Sequence, residues 1–355
     1  MNYFVFKQKS LKLAFFSSLL LILSLTEIFL PNIVQGQSLE DQLNVTPRIN
    51  LNLEVRSNAD QEVNLGDQAL QSGDRDQAIS HWLEALRLYE SIPDLYGIGK
   101  VSGYLAPVYL ELGDFAAAEN AMRRHLAVTR SRQDQQTMIR SLNNLGTLLL
   151  EMGRNLDEIE SLFTEALEIS QAVGDLAGQG LSLSNLGRLA YFEGYYVQAI
   201  EFYESAVNYR LDGNDILGQV NTLNNLGDAY QETDQYWKSI NNYRLALVVA
   251  EGLGDLDSQY RAWEGLAESY GALGYHKTAF RFLNEWGNLA IATDNLDQQL
   301  NVTRLSAYFY WELRDQENAL IFYQKAIDLA RAIGADQEVA LLKTQLSEVL
   351  YGNQY

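Results

Sequence analysis

Residues 174–215 read GDLAGQGLSLSNLGRLAYFEGYYVQAIEFYESAVNYRLDGND. Gly187 is followed seven residues on by Gly194, then after five, four and three more residues by Ala199, Tyr203 and Ala206. Those last steps place Ala199, Tyr203 and Ala206 on one face of a helix, with small residues where a neighbouring helix must come close. Gly194 reads as the point where one helix ends and the next begins. At either end, Gly174-Asp175 and Gly213-Asn214-Asp215 pair a left-handed helix stop with an N-capping carboxylate. The segment is therefore two antiparallel helices between two stops.

The same pattern recurs outward in both directions. Small residues equivalent to Gly187 stand at Gly66, Ala106, Gly146, Gly227, Ala267 and Ala307, in steps of 40 with a single step of 41. Turn positions follow at Gly73, Gly113, Gly153, Asp234, Gly274 and Arg314, and the one extra residue falls in the Arg154–Glu158 turn. Beyond each turn comes a bulky residue (Trp82, Met122, Phe163, Tyr243, Leu283 or Tyr323), and an alanine three residues later at 85, 166, 246 and 326. His125 takes the alanine's place in the second unit. Gly254-Asp255 and Gly334-Ala335-Asp336 repeat the joint, and no proline follows Pro107 to break a helix. The expected architecture is an all-α solenoid of about seven hairpins, near 57–95, 96–134, 135–174, 175–214, 215–254, 255–294 and 295–335. A lone capping helix over 336–351 covers the last apolar face, and 352–355 is a tail.

The N-terminal part reads differently. Lys7, Lys9 and Lys12 precede an apolar run from Leu13 to Leu30, and the small-residue site Val34-Gln35-Gly36 follows Pro31. This is the pattern of a signal peptide over 1–36, cleaved after Gly36. Polar interruptions at Ser17, Ser18, Ser24, Thr26 and Glu27 weaken the run as a membrane anchor, the alternative if it is retained. Residues 37–56 are expected to be a linker, or a single strand where Ile49, Leu51, Leu53 and Val55 alternate with polar residues. Export would end in a periplasm, a thylakoid lumen or the extracellular medium. Cysteine content does not choose among them, because there is none.

Composition removes several function classes. With 47% hydrophobic and 20% charged residues in 355, the chain can bury a large core. The missing cysteines and three scattered histidines (His81, His125, His276) leave no thiolate nucleophile or zinc cluster, and no metal is expected. A formal net charge of −20 repels nucleic acid and anionic lipid. No phosphate loop, serine elbow or nucleotide fingerprint is present, so neither a cofactor nor catalysis is expected.

Gly66, Tyr109, Gly187, Ala199, Tyr203 and Ala206, with their equivalents, make the chain resemble the tetratricopeptide-repeat family. The 40-residue period is similar to that of kinesin light chains and the LGN scaffolds. The Gly-Asp joints and the N-N-L-G stretches Asn143–Gly146 and Asn224–Gly227 are similar to exported bacterial and cyanobacterial repeat proteins that accompany CHAT domains. The resemblance implies a right-handed superhelix whose first helices line a concave groove, non-catalytic protein binding, and an asparagine ladder gripping a guest's main chain. Asn64, Asn144, Asn185 and Asn225 share that register, two residues before the small position, and a carboxamide can meet both N–H and C=O of an extended peptide. The groove expectation takes in Asn64, Arg140, Asn143, Asn144, Asn185, Arg188, Asn221, Asn224, Asn225, Asp228 and Arg261, flanked by Glu232, Gly265 and Glu268. The acidic balance implies a protein or peptide partner of basic character. The rival expectation is a structural spacer or self-assembling adaptor in the cell envelope. The aromatics Tyr195, Tyr196, Phe202, Tyr203, Tyr209, Tyr236, Trp237 and Tyr243 are read mainly as packing residues.

Overall fold

A computed structural model describes residues 46–351 of the chain, and side chains from 51 to 350. Calls on the leader over 1–36 and the tail over 352–355 lie outside the described residues. Among those described there are fifteen helices and no strand. The first helices of the hairpins are α1 (Thr46–Gln71), α3 (Leu95–Glu111), α5 (Gln135–Glu151), α7 (Leu176–Phe192), α9 (Ile216–Glu232), α11 (Leu256–Ala272) and α13 (Leu296–Glu312). Their partners are α2 (Arg75–Ser91), α4 (Phe115–Arg132), α6 (Leu156–Val173), α8 (Tyr196–Asp212), α10 (Tyr236–Leu253), α12 (His276–Ala292) and α14 (Gln316–Ala332). The closing helix α15 (Asp336–Tyr351) packs Val339, Leu342 and Val349 against Tyr323, Ile327 and Ala330 of the last hairpin.

Sequence chemistry sets each boundary. All seven turn positions within hairpins have positive φ, including Asp234 at 56° and Arg314 at 62°, where a side chain is strained and glycine would not be. Asp175, Asp215 and Asp255 cap their helices by accepting from the N–H of Gly178, Gly218 and Ser258 at 2.9, 3.0 and 3.3 Å. One joint differs from expectation: at 213–215 the left-handed residue is Asn214 (φ 55°), and Gly213 (φ −83°) is not. Asp336 is the first residue of α15, whereas a capping role was expected.

The segment expected to be linker or strand up to residue 56 is helical from Thr46 onward. Pro47 is tolerated there because first-turn N–H groups have no helical partner. Leu51 and Leu53 are exposed, so their alternation never meets a sheet, and Arg56 instead forms an ion pair with Asp94 at 3.2 Å.

Close approach within hairpins explains the small residues. A Cβ on Gly187 would stand 2.7 Å from the Tyr203 ring, and one on Gly146 2.5 Å from Phe163. Tyr203, Phe163 and Tyr243 are fully buried, which makes them core.

Candidate functional site

The polar faces of successive first helices are joined into one strip. Arg188 on α7 donates to Glu151 on α5 at 3.1 Å. Tyr191 on α7 donates to Glu232 on α9 at 3.1 Å. Arg261 on α11 donates to Asn225 on α9 at 2.9 Å and pairs with Asp228. The hydroxyl of Tyr243 rises from beneath to donate to Asp228 at 2.5 Å. Thus Arg188, Asn225, Asp228, Arg261 and Glu232 are brought together, and Asn221 lies beside them, accepting from Ser258 Oγ at 3.2 Å.

The ladder asparagines are not equivalent. Asn64 and Asn144 are exposed, and Asn185 and Asn225 are half-buried. Asn185 donates to Asn143 Oδ1 at 2.8 Å, which leaves its own carbonyl open, while Asn225 accepts from Arg261 and keeps its N–H pair open.

Two expected groove residues are interior. Asn143 is 1% exposed and donates to the Ile139 carbonyl and to Ser182 Oγ, both at 2.9 Å. Asn224 is fully buried and donates to the Ser258 carbonyl at 3.2 Å. Adjacent helical residues point about 100° apart, so within each N-N-L-G stretch the first asparagine staples neighbouring repeats and only the second reaches the open face. Gly265 is also buried: it replaces the ladder asparagine, and a Cβ there would lie 2.1 Å from the Tyr243 ring, which occupies its space.

Carboxylates dominate the strip from α9 onward. Glu268 keeps contact with water, but the walls around it crowd its carboxyl. That desolvation, with the charges of Glu264 and Asp228, pushes it up to about 7, against the opposing pull of Arg304. Glu264 is raised too, again chiefly by burial. Both line a small cavity of about 260 Å³ with Arg304, Tyr308, Tyr323 and Gln345.

A larger cleft, about 580 Å³, opens among α3, α4 and α5. Arg140, Asn144, Thr147 and Glu151 line one side of it, with Gly103, Ala106, Pro107, Met122 and His125 on the other. The sequence marked one side of this place as groove, through Arg140 and Asn144, and the other only as a departure from the repeat, through Pro107 and His125. Among the described residues no group of His, Cys, Asp and Glu could hold a metal, and no helix is long and apolar enough to cross a membrane.

Helical hairpins of one period, stacked through small-to-aromatic contacts and presenting a polar strip from their first helices, define a helical-repeat protein. Models of the tetratricopeptide repeat match residues 60–131, 137–212 and 305–333. The chain belongs to the tetratricopeptide-repeat family. Solved structures with this fold include the apo form of RapI (14% identity, 78% of this chain and 98% of that one, TM-score 0.61). A STAND protein with a tetratricopeptide-repeat sensor from Pyrococcus horikoshii is 18% identical over 86% of this chain and 48% of its own, about half its length, with a TM-score of 0.61. A Rap protein complexed with Competence and Sporulation Factor is 16% identical over 88% and 84%, with a TM-score of 0.51. No curated protein matches the chain in sequence.

Proposed function

We propose that the chain is a non-catalytic scaffold that holds a segment of a partner protein along the open face of its first helices. The observation that carries this reading is the continuous strip from Glu151 to Arg261, in which Asn144, Asn185 and Asn225 each keep unused amide capacity toward solvent. A solenoid of similar fold is the Rap protein complexed with Competence and Sporulation Factor, which fits the idea that this architecture accommodates a partner. A crosslinking pull-down of the native protein, with the Asn144/Asn185/Asn225→Ala variant as control, tests it. Partners retained equally by the variant would place the binding surface elsewhere and favour the spacer reading.

The guest's basic character follows from the cluster of Asp228, Glu232, Glu264 and Glu268, among which stand Arg261 and Arg304, with Tyr243 donating to Asp228 and Tyr308 and Tyr323 lining the cavity beside Glu264 and Glu268. A guest lysine or arginine binds ionised Glu268, whereas the free protein holds its carboxyl protonated up to about 7. Binding should therefore release a proton, and affinity should rise as pH increases through that value. Calorimetry of a lysine-rich guest in buffers of different ionisation heat reads the released proton. Affinity that is flat or falling with pH would remove Glu268 from the contact.

Export completes the proposal. Cleavage after Gly36 gives a secreted chain beginning at Gln37, which mass measurement of the native protein checks. An intact N-terminus that partitions with membranes would make the leader an anchor.

A further inference from the structure

The first helices α5, α7, α9, α11 and α13 pack on one another in succession, whereas α3 and α5 approach less closely, and the 580 Å³ cleft opens between them. Three features of repeat 2 shape it. Pro107 lies inside α3 and has no N–H, so the carbonyl of Gly103 loses its α-helical donor. His125, where five of the other repeats carry alanine and the sixth Trp286, sends Nδ1 to the Gly99 carbonyl at 2.8 Å. A carbonyl can only accept, so Nδ1 carries the hydrogen. Ala106, Leu110 and Met122 supply an apolar floor, continued by Leu148 of repeat 3.

Charge adds the fourth feature. Arg188, Arg261 and Arg304 each pair with a carboxylate of a neighbouring helix. Among the described residues Arg140, at the rim of the cleft, has no ion-pair partner, and Asn144 one turn away makes no side-chain hydrogen bond. Asp134, which caps α5, lies within electrostatic reach of Arg140 without pairing with it, so in a chain of formal charge −20 this guanidinium beside a largely apolar cleft is complementary to an apolar group with an adjoining carboxylate.

We infer that this cleft anchors the guest by an aliphatic side chain next to an aspartate or glutamate. The carboxylate lies on Arg140, and the guest's main chain spans Asn144 and the free carbonyl of Gly103. The inference rests on the groove reading above and gives the guest a direction. Its acidic-apolar anchor sits at repeats 2 and 3, and its basic stretch at repeats 5 to 7.

The test is a selection of random phage-displayed peptides on the immobilised full chain, run in parallel on Arg140→Glu. Wild type should enrich an aliphatic residue beside Asp or Glu, and Arg140→Glu should enrich Lys or Arg at the same place. A peptide selected on wild type should lose roughly fivefold to tenfold in affinity for Arg140→Glu and recover it when its own acid is changed to lysine. Pro107→Ala returns a donor to Gly103 and should weaken that peptide while raising the melting temperature, so lost binding is not mistaken for lost folding. Selected peptides without the acid, or an affinity indifferent to Arg140→Glu, overturn the anchor and leave the groove standing. A selection that enriches nothing on either protein overturns both.

Discussion

Gly218→Ala should cost about 3–5 kcal/mol of stability, an effect large for one methyl group. Its Cβ would stand 1.5 Å from Nη1 of Arg210 and 2.2 Å from Oδ2 of Asp215. Arg210 is only 6% exposed, and its pair with Asp215, at 2.5 Å, ties the end of α8 to the start of α9. Burial lowers the affinity of this guanidinium for its proton, and the Asp215 charge opposes that loss. A methyl group that pushes the guanidinium away therefore leaves a buried cation without a partner. The same aspartate caps α9 through the Gly218 N–H, so the cap is disturbed as well. The side chain cannot retreat along its stem, since Gly180 of α7 is already packed on Arg210 Cγ, with 2.5 Å to a Cβ built there. Denaturant unfolding measures the loss. In an Arg210→Met background the same Gly218→Ala change should cost far less, because the charge that cannot be displaced is gone. A cost for Gly218→Ala below about 1 kcal/mol, or one equal in both backgrounds, would show that the junction adapts and that the ion pair is not what the glycine protects.

Period, hairpin boundaries and core aromatics were legible in the sequence because each depends on a local rule: a left-handed residue at the turn, a carboxylate at the cap, a small residue facing a ring. What was not legible depends on direction around a helix or on contacts between repeats. Asn143 and Asn144 look alike in a pattern, and only the packing of α5 on α7 sends one inward. Tyr243 fills the space of the missing side chain at Gly265, a contact between residues in two successive repeats, so a reading of one repeat at a time assigned Gly265 to the groove. Three glutamines, two buried and Gln299 half-buried, were missed although their spacing could have shown them. Gln179, Gln259 and Gln299 recur at multiples of 40 and donate to the carbonyls of Ser170, Ala250 and Ala290 at 3.4, 3.3 and 3.2 Å, closing the end of the preceding helix. At the site, ion pairs across helices join Arg188 to Glu151 and Arg261 to Asp228, while the cleft at repeat 2 arose where the repeat pattern fails.

The asparagines allow binding and folding to be separated by neighbouring substitutions. Changing Asn144, Asn185 and Asn225 together to alanine should weaken guest binding roughly 100-fold if each amide contributes on the order of 1 kcal/mol and the terms add. Stability should fall only modestly, because alanine favours the helix and Asn144 has no intramolecular bond to lose, although Asn185 leaves Asn143 Oδ1 without its donor. Asn143→Ala should do the reverse. It removes donors to Ile139 and Ser182 and the acceptor for Asn185 in a buried place, a loss of about 1–3 kcal/mol, while the folded protein still binds its guest through the open face. Asn224→Ala should be milder, since Asn224 makes a single 3.2 Å bond and its own Oδ1 is already buried without a partner. Guest calorimetry beside thermal melting of the three variants resolves the two roles. A triple variant that binds like wild type would move the guest off the first helices. An Asn143→Ala protein of unchanged stability would mean that the staple between α5 and α7 is carried by the apolar contacts around it and that the buried asparagine has some other role.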